Sequence, residues 1–297
     1  TPLEAYILAE CIEAAGLPRG VFNLVPAGRD SGDHLVRHPD VNKVAFTGST
    51  AVGKHIMKVC ADRLARVSLE LGGKSAAVLL PDADFAQAMP SLMAYSMPIT
   101  GQVCFSLTRL LVPNARKQEF LDLFLPAVRS LKVGDPSDPT TQMGPLAMAR
   151  QRERVEAYIA AGRAGGAVLA CGGGRPKGLD RGFYVEPTVF TDVTTDMKIA
   201  QEEVFGPVVS IIGYDDEDDA ARKANATPYG LNGAVYSRDI ERGFNFAKRM
   251  RTGGVTVNGL IVDPKHPFGG YRESGMGREG GPEGLDNYLE VKTVHIA

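Results

Sequence analysis

Short apolar runs rich in β-branched residues alternate along this chain with amphipathic segments, and no other feature restricts the possible folds as strongly. Val21–Val25, Val41–Phe46, Val67–Leu71, Ala76–Leu80, Arg109–Val112, Val208–Ile212, Gly233–Tyr236 and Gly254–Val257 read as strands. Helical spacing predicts helices over Thr50–Leu64, Asp84–Met97 with an interruption at Pro90, Ala115–Leu131, Ala147–Ala164, Glu217–Ala226 and Ile240–Met250, with Asp30–Arg37 helical or irregular. Strands separated by helices of about 10–15 residues imply crossover connections, hence an α/β fold with largely parallel sheets. A boundary near Gly72-Gly73 divides the chain into residues 1–72 and 73–280, and residues 281–297 form a terminal segment.

The chain opens on Thr1-Pro2-Leu3-Glu4, a helix start with Thr1 as N-cap, Pro2 as first helical residue and Glu4 as capping-box partner. Leu3, Ile7, Leu8, Cys11, Ile12 and Ala15 continue at helical spacing, and Gly16 supplies a stop. A chain that begins on a helix cap is expected to be part of something longer. Its 297 residues carry a formal charge of −2, which gives no electrostatic case for nucleic acid or an anionic membrane. No apolar run approaches the ~18 residues of a membrane span, and no basic segment leads into an apolar core. Cys11, Cys60, Cys104 and Cys171 are scattered, as are the five histidines. Neither a disulfide framework nor a metal site is expected; reduced thiols point to a cytoplasmic setting.

Several segments can carry chemistry. Thr47-Gly48-Ser49 leads from a strand into the helix that contains Gly53. It reads either as a phosphate-binding turn, with free helix N–H groups, or as an ordinary strand–helix turn capped by a hydroxyl. It lacks the G-x-G-x-x-G pattern. Cys104, in Gly101-Gln102-Val103-Cys104, reads as a loop nucleophile or as a buried core cysteine. Glu70 lies 34 residues earlier inside the apolar run Val67–Leu71. Carboxylates rarely occupy such runs without a partner or a task, so Glu70 is a base or one half of a salt bridge at the domain seam. Glu202-Glu203-Val204-Phe205-Gly206-Pro207 is a ribose-holding carboxylate beside an aromatic, or a solvated acidic turn. Pro267–Glu279 is a rigid glycine-rich loop over a site, or a plain surface loop. Asp215–Asp219 is a solvated helix start, and Cys171–Gly174 a turn.

Taken together, Thr1-Pro2-Leu3, Phe46-Thr47-Gly48-Ser49, Leu69–Lys74, Gly101–Cys104, Glu202–Val208 and Pro267–Gly270 resemble the aldehyde dehydrogenase superfamily over essentially the whole chain. The resemblance implies a partial Rossmann-type cofactor domain followed by an α/β catalytic domain and a C-terminal oligomerisation segment. It implies NAD(P)-dependent oxidation of an aldehyde to a carboxylic acid, with NAD the expected cofactor and NADP possible. Cys104 would form a thiohemiacetal and then a thioester, and Glu70 would activate the hydrolytic water; its presence favours a free acid over acyl transfer to coenzyme A. Thr47, Gly48, Ser49 and Gly53 would lie against the cofactor phosphates, Glu203 on the nicotinamide-side ribose and Phe205 near the nicotinamide, with Leu71 offering backbone to the carboxamide. Val103, Phe105 and Phe268 would line an apolar aldehyde pocket.

Tyr288–Val294 alternates like a strand added to another subunit's sheet, in a homodimer or homotetramer. Family members carry further groups ahead of the point matching Thr1, among them a lysine for the adenosine ribose and an asparagine for the oxyanion. No position here matches these, and one oxyanion donor typically contributes about 10²–10³ in rate. The other reading is therefore an inactive fragment, or a scaffold or binding module that keeps the catalytic half of the fold.

Overall fold

The computed structural model describes residues 2–297. The helix-capping role assigned to Thr1 lies outside them. In chain order the helices are α1 (Pro2–Ala14), α2 (Arg29–Arg37), α3 (Thr50–Ala61), α4 (Phe85–Ser96), α5 (Lys117–Arg129), α6 (Ala149–Ala164), α7 (Lys198–Gln201), α8 (Glu217–Asn225), α9 (Ile240–Ala247) and α10 (Gly281–Asp286). The strands are β1 (Lys43–Thr47), β2 (Arg66–Glu70), β3 (Ala76–Leu79), β4 (Arg109–Pro113), β5 (Val168–Cys171), β6 (Thr188–Thr191), β7 (Val208–Tyr214), β8 (Gly233–Tyr236), β9 (Thr256–Val257) and β10 (Gly275–Met276).

The chain divides into two units. One comprises the residues up to Val44 together with His55–Arg66. Its α1 ends before Gly16, which has φ 71°, and the apolar stripe at Leu3, Ile7 and Leu8 is exposed. Asp33 ties α2 to His55, its carboxylate meeting His55 Nε2 at 2.9 Å and Arg37 Nε at 2.6 Å. Arg63 donates to the carbonyls of Val36 and Val41. The strand expected over Val21–Val25 does not form. Pro18 and Gly20 before it and Pro26 after it break the extended run, Val21 N–H closes a turn on Pro18 O, and Val21 and Val25 stay exposed.

The second unit, Ala45–Lys54 with Val67–Ala297, holds a seven-stranded sheet of order β5-β6-β7-β4-β3-β8-β9. All neighbours are parallel except the edge pair β5 and β6. Successive strand residues alternate between two apolar cores, as a period of two requires. Val78, Leu111, Val208, Ile212 and Val235 enter one, with Val155 and Ile159 of α6, the alanines of α8 and Phe246 of α9. Ala77, Leu79, Leu110, Val112, Val209 and Ile211 enter the other, with Phe85 and Leu92 of α4 and Phe120 and Phe124 of α5. The Phe85 and Phe120 rings meet edge-on at 5.4 Å.

Pro90 does not interrupt α4, which runs through it from an Asp84 cap. Helix α4 is anchored on both sides of the proline by buried Phe85, Ala88 and Leu92, and that packing offsets the missing backbone hydrogen bond. A separate three-stranded sheet has the order β1-β2-β10. In it Gly275 stands opposite Glu70 and Met276 opposite Leu69, antiparallel. Strand β9 is shorter than the run Gly254–Val257, and residues 288–297 belong to no strand within this chain.

Candidate active site

The link from β2 to β3, Leu71-Gly72-Gly73-Lys74-Ser75, is buried throughout, and the candidate residues gather on it. Gly73 N–H donates to Glu203 Oε1 at 3.0 Å. A Cβ on Gly73 would stand 2.3 Å from the Cys104 carbonyl oxygen, and one on Gly72 2.6 Å from Glu203 Oε2. Only glycines allow the nucleophile candidate's backbone and the Glu203 carboxylate to press on the same two residues. Ser274 fixes this link from the other side. Its Oγ donates to Gly72 O at 2.7 Å and accepts from Gly230 N–H at 2.9 Å, while its carbonyl accepts from Leu71 N–H at 3.0 Å. The Leu71 N–H is thereby used, and only its carbonyl is left to offer.

Glu70 ends β2 and is 5 % exposed. Its carbonyl accepts from Gly48 N–H at 3.0 Å, so the β1–α3 turn is joined directly to it. The side chain lies beside Gly269, where a Cβ would come within 2.7 Å of Oε1, and Oε2 is buried with no hydrogen-bond partner. Burial, and next the negative charge of Glu279, push the Glu70 carboxyl up to about 8, against the pull of Arg278.

Cys104 follows three consecutive left-handed residues, Ile99, Thr100 and Gly101, with φ 47°, 59° and 71°. Gly101 is packed so tightly on the Glu203 turn that a Cβ there would lie 2.0 Å from Gly206 O. Thr100 Oγ1 donates to Gly144 O at 3.0 Å, and Gln102 Oε1 accepts from Ala147 N–H at 3.0 Å. The thiol is partly exposed. Burial first, then the Glu203 and Glu70 charges, push it up to about 11, outweighing the nearby N–H groups of Phe105 and Cys104. In the free protein the local N–H groups therefore do not activate it.

The acid pair divides. Glu202 Oε2 accepts from Tyr158 OH at 2.7 Å on α6, whereas Glu203 points to the Gly72-Gly73 link. Arg154 donates to Glu203 O at 2.7 Å, and Gln151 to Phe205 O at 2.7 Å, holding Phe205 at φ 57°. Thr47, Gly48 and Ser49 are exposed where α3 begins. Ser49 Oγ faces Val52 N–H at 3.5 Å, a long contact for a cap. Gly53, one turn into α3, lets Leu71 pack, since a Cβ there would lie 2.6 Å from Leu71 Cδ2. Phe105 and Phe268 meet edge-on at 6.3 Å, and Phe268 exchanges two backbone hydrogen bonds with Glu279, both 2.7 Å. Val103 is half-buried in the same loop as Phe105.

Sequence reasoning marked the loop Pro267–Glu279 but did not single out Ser274 and Glu279 within it, whose proximity to Leu71–Gly72 and Glu70 comes from pairing over about 200 residues of chain. Asp216 caps α8, accepting from Asp219 N–H at 2.8 Å, and Gly172 and Gly173 turn at φ 68° and 91°, as their segments implied. Among the described residues no group of three or more His, Cys, Asp or Glu side chains is placed to hold a metal ion, and no helix is long and apolar enough to cross a membrane.

The aldehyde dehydrogenase family model matches residues 1–294. The chain therefore belongs to the aldehyde dehydrogenase family. It is 50% identical over 296 residues to a geranial dehydrogenase of Castellaniella defragrans, covering all of this chain and 62% of that protein. It is 44% identical over 299 residues to a betaine aldehyde dehydrogenase of Brucella anthropi, covering all of this chain and 61% of that protein. Among solved structures, the Mycobacterium tuberculosis aldehyde dehydrogenase complexed with NAD+ superposes with a TM-score of 0.95 at 48% identity, over 97% of this chain and 60% of that one. The chain thus spans about three fifths of the length of these relatives.

Proposed function

We propose that this chain carries the thiol, the base and the nicotinamide-side contacts of an NAD(P)-dependent aldehyde dehydrogenase that releases a carboxylic acid. The observation that carries the reading is the Gly72-Gly73 link, on which the Cys104 backbone and the Glu203 carboxylate converge next to Glu70. Residues 1–72 would complete a dinucleotide-binding domain, residues 73–280 form the catalytic domain, and residues 281–297 join a partner subunit in a cytoplasmic homodimer or homotetramer.

The residues fit a dinucleotide. One Glu203 oxygen is tied to Gly73 N–H, so the other would be left for paired ribose hydroxyls, and the exposed start of α3 would offer backbone N–H groups and a partial positive charge to a pyrophosphate. Thr47, Gly48, Ser49 and Gly53 would hold that end, and Phe205 and the Leu71 carbonyl the nicotinamide end. NAD(P), when bound, supplies the hydride acceptor. Once the Cys104 thiol has given up its proton to solvent, Sγ adds to the aldehyde carbon, and the resulting oxyanion provides the electron push for hydride loss, leaving a thioester on Sγ. Glu70 takes a proton from the water that attacks the thioester carbon, and the acid leaves as the C–S bond breaks. Covalent attachment splits one difficult oxidation into two easier steps, and a positioned base typically contributes about 10²–10⁴-fold to the second.

Val103 and the Phe105–Phe268 edge contact favour an apolar aldehyde, in keeping with the geranial dehydrogenase relative. The test is mass spectrometry of the purified protein given NAD and an apolar aldehyde such as octanal. Glu70→Gln is expected to accumulate an acyl adduct on the Cys104 peptide, and Cys104→Ala to carry none and form no NADH. Normal turnover by Glu70→Gln would remove Glu70 as the base. Failure of the folded protein to bind NAD in calorimetry would favour the scaffold reading.

A further inference from the structure

Two anchors secure the link Leu71-Gly72-Gly73-Lys74-Ser75, one at each end. Ser274 fixes Leu71 and Gly72, taking the N–H of one and the carbonyl of the other. Arg109 fixes the far end. It is the first residue of β4 and stands opposite Ala76 in the parallel register of β3 and β4. Its backbone N–H donates to Ser75 O at 3.2 Å, and its side-chain Nε donates to Lys74 O at 2.8 Å. Gly73, whose N–H is bonded to Glu203 and which leaves no room for a Cβ beside Cys104 O, is suspended between these anchors.

A buried arginine has an ordinary structural use as a cap on a helix end, and Arg109 serves it. Nη1 donates to Lys223 O at 2.9 Å and Nη2 to Ala224 O at 2.6 Å, both in the last turn of α8. The last carbonyls of a helix lack donors from a following turn and carry its partial negative charge, which suits a cation. That use needs only the tip of the side chain, and a lysine would supply it. The Nε bond is a different matter. A guanidinium alone among cationic side chains has a donor short of its tip, in the same rigid plane as the other donors. Arg109 thus ties the link directly to α8, whose Ala220, Ala221 and Ala224 are packed into the core. At 2 % exposure, water does not compete for these bonds.

We propose that Arg109 is a positioning residue for the first half of the reaction, acting through the Lys74 carbonyl to keep Gly73 where the Cys104 loop and Glu203 both need it. The inference rests on the aldehyde dehydrogenase reading above, in which Cys104 is acylated while Glu203 steadies the cofactor. Glu70 is set by other means, since it lies on β2 opposite Gly275 and its carbonyl accepts from Gly48 N–H. Loss of the Nε bond therefore slows acylation and leaves thioester hydrolysis as it was. An arginine that only stabilised the fold would affect the two steps alike or not at all.

Arg109→Lys isolates this bond. Lysine has a methylene where Nε stands, while its ammonium keeps the charge near the α8 carbonyls. Amide hydrogen exchange, read by mass spectrometry, is expected to be about tenfold faster over residues 71–75 in the variant and unchanged in β3 and β4. Unchanged exchange in the link, or faster exchange across the whole sheet, overturns the proposal. In single-turnover stopped flow with NAD and octanal, NADH formation should slow about 10- to 100-fold, while the acyl adduct on Cys104 decays at its former rate. Equal slowing of both steps, or of neither, also overturns it. Should the variant not fold, the unmodified protein still decides, because residues 71–75 must then exchange as slowly as β3, and rapid exchange there would show that no anchor is in force. An unmodified protein that forms no NADH counts against the functional reading, and the exchange data then judge Arg109 by themselves.

Discussion

Gly73 donates its N–H to Glu203 Oε1 at 3.0 Å and leaves no room for a Cβ, which would fall 2.3 Å from Cys104 O. One glycine thus sets the spacing between the Cys104 loop and the Glu203 carboxylate. Gly73→Ala must push the Cys104 loop back by a large fraction of an ångström. Because misplacement on that scale costs about 10²-fold, the variant is expected to lose about that much in kcat/KM for aldehyde oxidation. The far-UV circular dichroism should stay unchanged.

The Glu70 carboxyl, at about 8, is above its ordinary range and acts as a base only when ionised. Deacylation is therefore expected to rise with pH through about 8 and then level off, as stopped-flow measurement of acyl-enzyme decay would show. Folding favours the protonated form, so the stability Glu70 contributes is present below its unfolded value near 4.5 and is lost as pH rises toward 8. Glu70→Gln keeps the shape without the charge. Its melting temperature should gain on the unmodified protein steadily from pH 5 to pH 8.

The Cys104 thiol sits near 11 partly because of the Glu203 charge. In the free protein at pH 8, iodoacetamide should label exposed Cys11 well before Cys104. Glu203→Gln removes one of the two carboxylate charges acting on the thiol and should speed Cys104 labelling several-fold, as read by peptide mass spectrometry. Equal labelling rates in the two proteins would show that Glu203 does not govern the thiol.

Ser274 is fully buried and joins Gly72 O to Gly230 N–H through its hydroxyl. Ser274→Ala strands both groups in the interior, which costs about 2–4 kcal/mol in all. The urea midpoint should fall accordingly, and activity should fall with it because the Gly72-Gly73 link loosens.

Ile99 holds a left-handed conformation at φ 47° and is 76% exposed. A β-branched residue is strained there, and Asn tolerates it better. Ile99→Asn should stabilise the protein by about 1 kcal/mol in chemical denaturation.

Much of the central sheet was legible in advance. The runs at Ala76–Leu80, Arg109–Val112, Val208–Ile212 and Gly233–Tyr236 carry β-branched residues and are separated by helices, which is sufficient to imply parallel crossovers. Local pattern misled where brackets or partners mattered more. Val21–Val25 has strand composition but lies between Pro18-Arg19-Gly20 and Pro26. Strands β5 and β6, an antiparallel edge pair, were not anticipated as a pair, because nothing in Val168–Cys171 announces a partner at Thr188–Thr191. At the candidate site the chemical groups Cys104, Glu70 and Glu203 were legible as residue types in context. The glycine link beneath them and the Ser274 clasp were not, because both arise from pairing between segments far apart in sequence.

The pairing of Gly275 with Glu70 has a temporal consequence. During synthesis β2 leaves the ribosome some 200 residues before β10, so the carboxylate's strand waits with one edge open while those residues are made. Ser274, the clasp on Leu71 and Gly72, arrives with β10. The thiol of Cys104 and the carboxylate of Glu70 are thus both synthesised well before the segment that fixes the link between them, and only this long-range closure brings the site to its final geometry.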